Sequence, residues 1–160
     1  MKLEIEHIDQ KDLHLNDENV NVHNSKSLEK IANSLKEFGF INPIVIDDNN
    51  IVIAGNGRLE ASRRLKIDSI PCIRAKHLSE VQLRAFAIAD NRVAEESFFA
   101  DDLLKGALEE LENANYNLDV LGFDSVEIEN IFNFEHELET EEPTNKDKEE
   151  KVCPHCGEAL

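Results

Sequence analysis

Ile51-Val52-Ile53-Ala54-Gly55-Asn56-Gly57-Arg58-Leu59-Glu60-Ala61 is where the chain turns from extended to helical. The uninterrupted apolar run Ile51–Ala54 reads as a strand buried on both faces. Gly55-Asn56-Gly57 breaks that pattern, and a helix is expected from about Arg58 to Leu65. Glycines let the backbone turn sharply and approach an anion, and the free amides at a helix start point toward it. Arg58 would add a charge-assisted donor, with Arg63 and Arg64 within a turn or two. The same glycines also serve as a plain tight connection.

The pattern extends in both directions. Upstream, Pro43 opens a short strand, Ile44-Val45-Ile46, and Asp47-Asp48-Asn49-Asn50 is a turn. Before it, Leu28, Ile31, Ala32, Leu35 and Phe38 fall at helical spacing, with Ser25 or Ser27 as start signal and Gly39 as a left-handed cap. Residues 9–24 are polar and Asn/Asp-rich and read as loop, and Lys2 to Ile8 alternates as a first strand with Leu3 and Ile5 on one face. Downstream, Pro71–Ala75 returns as a strand. Helices are expected from Ser79 through Ile88, over about Asp101 to Leu111, and from the capping box at Asp124–Glu127 onward, the last burying Ile128, Ile131 and Phe132. The fold class is α+β: a small mixed sheet over 1–76, a helical subdomain over 77–134, an acidic linker over 135–151 that is nearly without large apolar residues and reads as disordered, and a short tail over 152–160.

The formal net charge is −17, unevenly spread. Residues 1–50 carry −5, residues 51–100 carry +2, and residues 101–150 carry −14. A chain this acidic is expected to bind naked duplex weakly, any contact running through Arg63, Arg64 and Lys66. A focused anion site in the basic middle block remains compatible with the overall sign. No window approaches the ~18 apolar residues of a membrane span, and no leader pattern is visible. Three cysteines fit a reducing cytoplasm rather than a disulfide scaffold.

Phe38-Gly39-Phe40-Ile41-Asn42-Pro43-Ile44-Val45-Ile46, then Ile53–Ala61, then Ile70-Pro71-Cys72-Ile73, resembles the ParB N-terminal/sulfiredoxin-like superfamily. The likeness is greatest to phage and prophage proteins and to domains associated with DNA methyltransferases. Those also carry segments like Leu83–Arg92 and Leu118–Asp124, so the likeness spans about residues 1–133. It implies a nucleotide pocket for CTP or ATP formed by Pro43, Gly55, Asn56, Gly57, Arg58, Asn91 and Arg92, with Asp90 holding Mg2+. ParB's loop reads G-E-R-R; here Asn56 and Gly57 stand where Glu and Arg would be, which leaves hydrolysis open. Glu60 is the nearest carboxylate that could replace the glutamate, though an ordinary exposed helix glutamate looks the same in sequence. Sulfiredoxins place a cysteine at the position of Asn56, so sulfinic-acid repair lacks its nucleophile. No ParB-type helix-turn-helix is expected, because the remaining helices resemble the methylase-associated pattern.

Cys153-Pro154-His155-Cys156-Gly157 has the spacing of a zinc knuckle, with Cys153 and Cys156 as candidate Zn2+ ligands. Four ligands are needed, so a second copy or another protein would supply the rest, or the half-site is a relic. Cys72, in a strand, reads as a small buried hydrophobe. Three functions follow. The first is a nucleotide-binding accessory protein of a phage or prophage DNA-processing or DNA-modification system, with NTP hydrolysis open and a homodimer as one possible assembly. The second is a non-catalytic adaptor recruiting a DNA methyltransferase, terminase or nuclease. The third is a ParB-like nuclease, for which no carboxylate cluster in a basic groove is visible.

Overall fold

The computed structural model of the chain describes residues 3–133. Its elements are β1 (Ile5–Asp9), a 3-10 turn at Gln10–Asp12, α1 (Ser25–Phe38), β2 (Ile44–Ile46), β3 (Val52–Ala54), α2 (Asn56–Leu65) and β4 (Ser69–Arg74). There follow α3 (Glu80–Glu95), α4 (Asp101–Asn113), a 3-10 turn at Leu118–Leu121 and α5 (Ser125–Asn133). The mixed sheet expected from the sequence is present, in the order β1-β4-β2-β3. β2 runs parallel to β4, and both outer pairings are antiparallel. Parallel neighbours need a crossover, and β3 with α2 supplies it.

The core explains why the short strands hold. Leu13, Ile44, Ile46, Val52, Leu59, Ile70 and Cys72 form one buried cluster, with Ile8, Leu15, Phe40 and Ile67 packed against it. Ala32, Leu35 and Ala61 form a second where α1 meets α2, small residues letting the two helices approach closely. Arg74 ties the edge together: its guanidinium bonds the Glu6 carboxylate, the Asp47 carbonyl at 2.6 Å and Asn50 Oδ1 at 2.8 Å. The Asp47 carboxylate in turn accepts the Asn49 and Ile51 amides, closing the expected turn, and Asn50 adopts the left-handed φ of 61°.

Several local expectations are corrected. The first strand starts at Ile5 rather than Lys2, and Leu3 and Ile5, which the sequence places on one face, are both more than half exposed, while Ile8 packs inward. α1 is capped by Asn24 rather than Ser25 or Ser27: Asn24 Oδ1 accepts the Ser27 amide at 2.8 Å. Gly39 has the positive φ of 72° but a ψ of −168°, outside the left-handed helical well. α3 has the predicted period, yet none of its residues is fully buried, and Val81 and Ile88 face solvent. Ile128, Ile131 and Phe132 on α5 are half-buried, while the Asp124–Glu127 capping box forms in both directions.

Asn24→Ala removes the α1 cap and is expected to lower stability by ~1 kcal/mol. Urea unfolding with an unchanged m-value checks it; a midpoint identical to the parent chain would show the cap to be dispensable.

Candidate functional site

Gly55 decides the site's geometry. Its φ of 104° and ψ of 25° lie in the left-handed region, where an L side chain is strained. A Cβ there would stand 2.9 Å from Arg58 Nη2 and 3.3 Å from Ile44 Cγ1, so the Arg58 side chain folds back over this glycine. α2 begins at Asn56, two residues earlier than the sequence suggested, which puts Gly57 in the first helical turn rather than in the loop. No side chain caps this helix start. The first amides of α2 therefore remain available to an external acceptor.

Two cavities meet at Arg58. One, of about 190 Å³, gathers three elements: the Gly55–Arg58 turn, Asp90 and Asn91 of α3, and Asn19, Asn21 and His23 of the loop before α1. The other, of about 510 Å³, lies among α1, the segment 39–42 and Val120–Gly122, with Ile31, Leu35, Phe38 and Ile41 as apolar wall. Arg58 makes no hydrogen bond or ion pair among the described residues. Burial pulls its guanidinium below the usual value, and Asp90 opposes that shift. A half-buried guanidinium, still cationic, is thus held where an anion can reach it.

The other sequence candidates separate. Asp90 lines the smaller cavity with a carboxylate that bonds no described residue. Asn91 lines it too, but its amide is used at both ends: Oδ1 accepts from Asn21 Nδ2 at 2.6 Å, and Nδ2 donates to the Ala87 carbonyl at 2.7 Å. Asn56 is buried, and its Oδ1 accepts the Asn16 amide at 3.1 Å, pinning the loop over the site. Arg92 lines neither cavity. It is spent on Glu95 and Glu96, at 3.2 and 2.6 Å, on the exposed side of α3. Pro43 opens β2 and Glu60 is half-buried on α2, and neither lines either cavity. Arg63, expected to be free for DNA, donates to the Leu13 carbonyl at 2.8 Å. Cys72 is fully buried, and burial pushes its thiol up to about 11 against the pull of Arg74. Cys153 and Cys156, like the acidic linker, lie outside the described residues.

Sequence reasoning missed Asn19, Asn21 and His23. The density of asparagines at positions 16, 19, 21 and 24 was the available signal. Their approach to Gly57 depends on how the loop folds back across α2. For a divalent cation, Asp90 is the one unengaged carboxylate of the smaller cavity. That fits Mg2+, which takes one or two carboxylates and completes its shell with phosphate oxygens and water.

Residues 2–92 match the ParB N-terminal domain. The chain belongs to the ParB N-terminal domain family. Residues 102–158 match the ParB-methyltransferase HTH domain. This bears out the methylase-associated likeness: the helices after α3 match a helix-turn-helix domain of the methyltransferase-associated kind, where no ParB-type one was expected. The ParB-like nuclease domain-containing protein YnaK of Escherichia coli is 38% identical over 64 residues, 40% of this chain and 74% of YnaK. The Probable chromosome-partitioning protein ParB of Campylobacter jejuni is 31% identical over 119 residues, 72% of this chain but 38% of that ParB. The C-terminally truncated ParB of Caulobacter crescentus, solved complexed with CTP-gamma-S, superposes with a TM-score of 0.67 at 17% identity, over 80% of this chain and 76% of that one. This last likeness is one of fold. No described helix is long and apolar enough to cross a membrane.

Proposed function

We propose that this ParB-family chain binds a nucleoside triphosphate, CTP or ATP, as an accessory protein of a phage or prophage DNA-processing or DNA-modification system. The observation that carries the reading is Arg58: a half-buried cation without a protein partner among the described residues, beside an uncapped helix start and an unengaged Asp90. Phosphates on the Gly55–Arg58 turn would satisfy the amides and the guanidinium together. Mg2+ held by Asp90 would neutralise phosphate charge there. The larger apolar cavity, which shares Arg58 with the smaller one, is wide enough for a base. The fold shared with the CTP-gamma-S-bound Caulobacter protein favours CTP as the first ligand to try. Asn56 is turned inward to the Asn16 amide, so a hydrolytic role does not follow from it.

Calorimetric titration with CTP, ATP and ADP, with and without Mg2+, tests this reading. Triphosphate binding that strengthens with Mg2+ is expected, and Asp90→Ala should remove the Mg2+ enhancement while leaving metal-free binding unchanged. Absence of binding by all three nucleotides would overturn the proposal.

A second reading, an adaptor for a DNA methyltransferase, terminase or nuclease, draws on charge. Residues 102–133, the described part of the HTH match, carry eight acidic side chains against the single Lys105. Such a surface repels a phosphate backbone and favours a basic protein partner. The nuclease reading has less behind it: among the described residues no three His, Cys, Asp or Glu stand close enough to hold a metal ion.

A further inference from the structure

His23, on the loop before α1, lines the smaller cavity together with Arg58 of α2 and Asp90 of α3. Its ring is held in two ways. Nδ1 lies 3.3 Å from Ser27 Oγ in the first turn of α1. The Nε2–Cδ2 edge lies over Gly57, where a Cβ would stand only 2.7 Å from Nε2 and 2.8 Å from Cδ2. Gly57 has an ordinary helical backbone, so its turn does not demand glycine. The space does: a side chain there would displace His23, and it would also meet Ile31 Cδ1 at 2.9 Å.

We propose that His23 is a phosphate-binding residue of the nucleotide pocket, and that position 57 is glycine because the imidazole occupies the room a side chain would need. The proposal deepens the nucleotide-binding reading and rests on it. Ser27 Oγ can donate to Nδ1, which leaves the proton on Nε2, the nitrogen that lies over the α2 start. A phosphate on the first amides of α2 would then meet donors from two sides, Arg58 from the helix and His23 from the loop. The charged groups lining the cavity are Arg58 and Asp90; Asn19, Asn21 and Asn91 contribute neutral amides. An N–H donor at His23 therefore adds to an otherwise single-cation site. Ordering the loop around the ligand would also couple phosphate binding to the Asn21–Asn91 bond, which joins this loop to α3.

The test is CTP and ATP titration, with Mg2+, of the full chain and of His23→Ala, His23→Gln and Arg58→Ala, with thermal melts to show that each variant folds. His23→Ala is expected to lose affinity about ten-fold, as for one hydrogen bond to a charged group. His23→Gln, whose side-chain amide can replace the Nε2 donor, should recover to within roughly three-fold of the parent chain. Gly57→Ala, which leaves His23 in place chemically but pushes the ring aside, should resemble His23→Ala. If Arg58→Ala weakens binding while His23→Ala does not, the His23 assignment fails and the nucleotide reading stands. Equal losses in His23→Ala and His23→Gln would mean that the ring only packs, which also overturns it. A parent chain that binds neither nucleotide would bring down the underlying reading itself.

Discussion

Arg58→Ala is expected to weaken nucleotide binding by roughly ten- to a hundred-fold while the fold survives. The magnitude follows from losing charge-assisted bonds worth about 1.5–3 kcal/mol in a half-buried setting. The fold should survive because the guanidinium bonds no described residue, so its removal orphans no partner. Burial already pulls its proton affinity down, with Asp90 alone opposing. Truncation therefore relieves a desolvated charge, and the apo chain should be no less stable, or slightly more stable, without it. The combination discriminates: weaker binding together with an unchanged or raised melting temperature marks a residue kept for its ligand. Unchanged affinity in this variant would mean that the Gly55–Arg58 segment is only a strand-to-helix connection.

The largest effect on stability is expected next door. Leu59→Ala should cost about 2–5 kcal/mol, the range for a buried leucine that leaves a cavity behind. Leu59 is fully buried among Leu13, Ile44, Ile46, Val52, Ile70 and Cys72, so no solvent-exposed neighbour can collapse into the gap cheaply. For a domain whose total stability is of the order of 5–15 kcal/mol, this is a large share. Its amide also donates to the Gly55 carbonyl at 3.1 Å, the first hydrogen bond of α2. A loosened core at Leu59 should therefore blur the site as well, lowering nucleotide affinity in a chain whose Arg58 is intact. Urea unfolding is the measurement, and a loss under about 1 kcal/mol would mean that the core repacks around the gap.

The neighbouring residues Arg58 and Leu59 illustrate how far the sequence could be read. Arg58 is marked by local turn chemistry, a glycine turn at a helix start, whereas the burial of Leu59 one residue on is seen only in the packed core. The strands were legible for a similar reason: Ile44–Ile46 and Val52–Ala54 are short apolar runs bounded by Pro43, the Asp47–Asn50 turn and Gly55, and each boundary has local turn chemistry. β1 was legible as a strand but not in its facing. Period-2 alternation shows that two faces differ, not which one meets the sheet's helices. The inward packing of Ile8 left Leu3 and Ile5 outside.

Site membership divided along the same line. Gly55 and Arg58 belong to one continuous turn, so their proximity is a property of local sequence. Asp90 reaches the same cavity from a helix more than thirty residues on, through the packing of α3 against β3. Arg92, two residues later, points the other way because a helix turns about 100° per residue, and Glu95 and Glu96 capture it at i+3 and i+4. The sequence offered Asp90, Asn91 and Arg92 as one block, and helical geometry split it.

What the sequence by itself determined is local: the strand–turn–helix at Gly55–Arg58, the helix periods, the capping box at Asp124–Glu127, and the concentration of acidic charge after residue 100. These follow from backbone sterics, hydrogen-bond periodicity and composition, which act between near neighbours in the chain. Only the tertiary structure decided that Asn56 turns inward to hold a loop, that Asn91 is spent on Asn21 and Ala87, and that His23 rests over Gly57. Each is a contact between segments far apart in sequence, or a side-chain choice made among several open partners. Its outcome depends on which groups the packed core brings within bonding distance, and no local pattern encodes that.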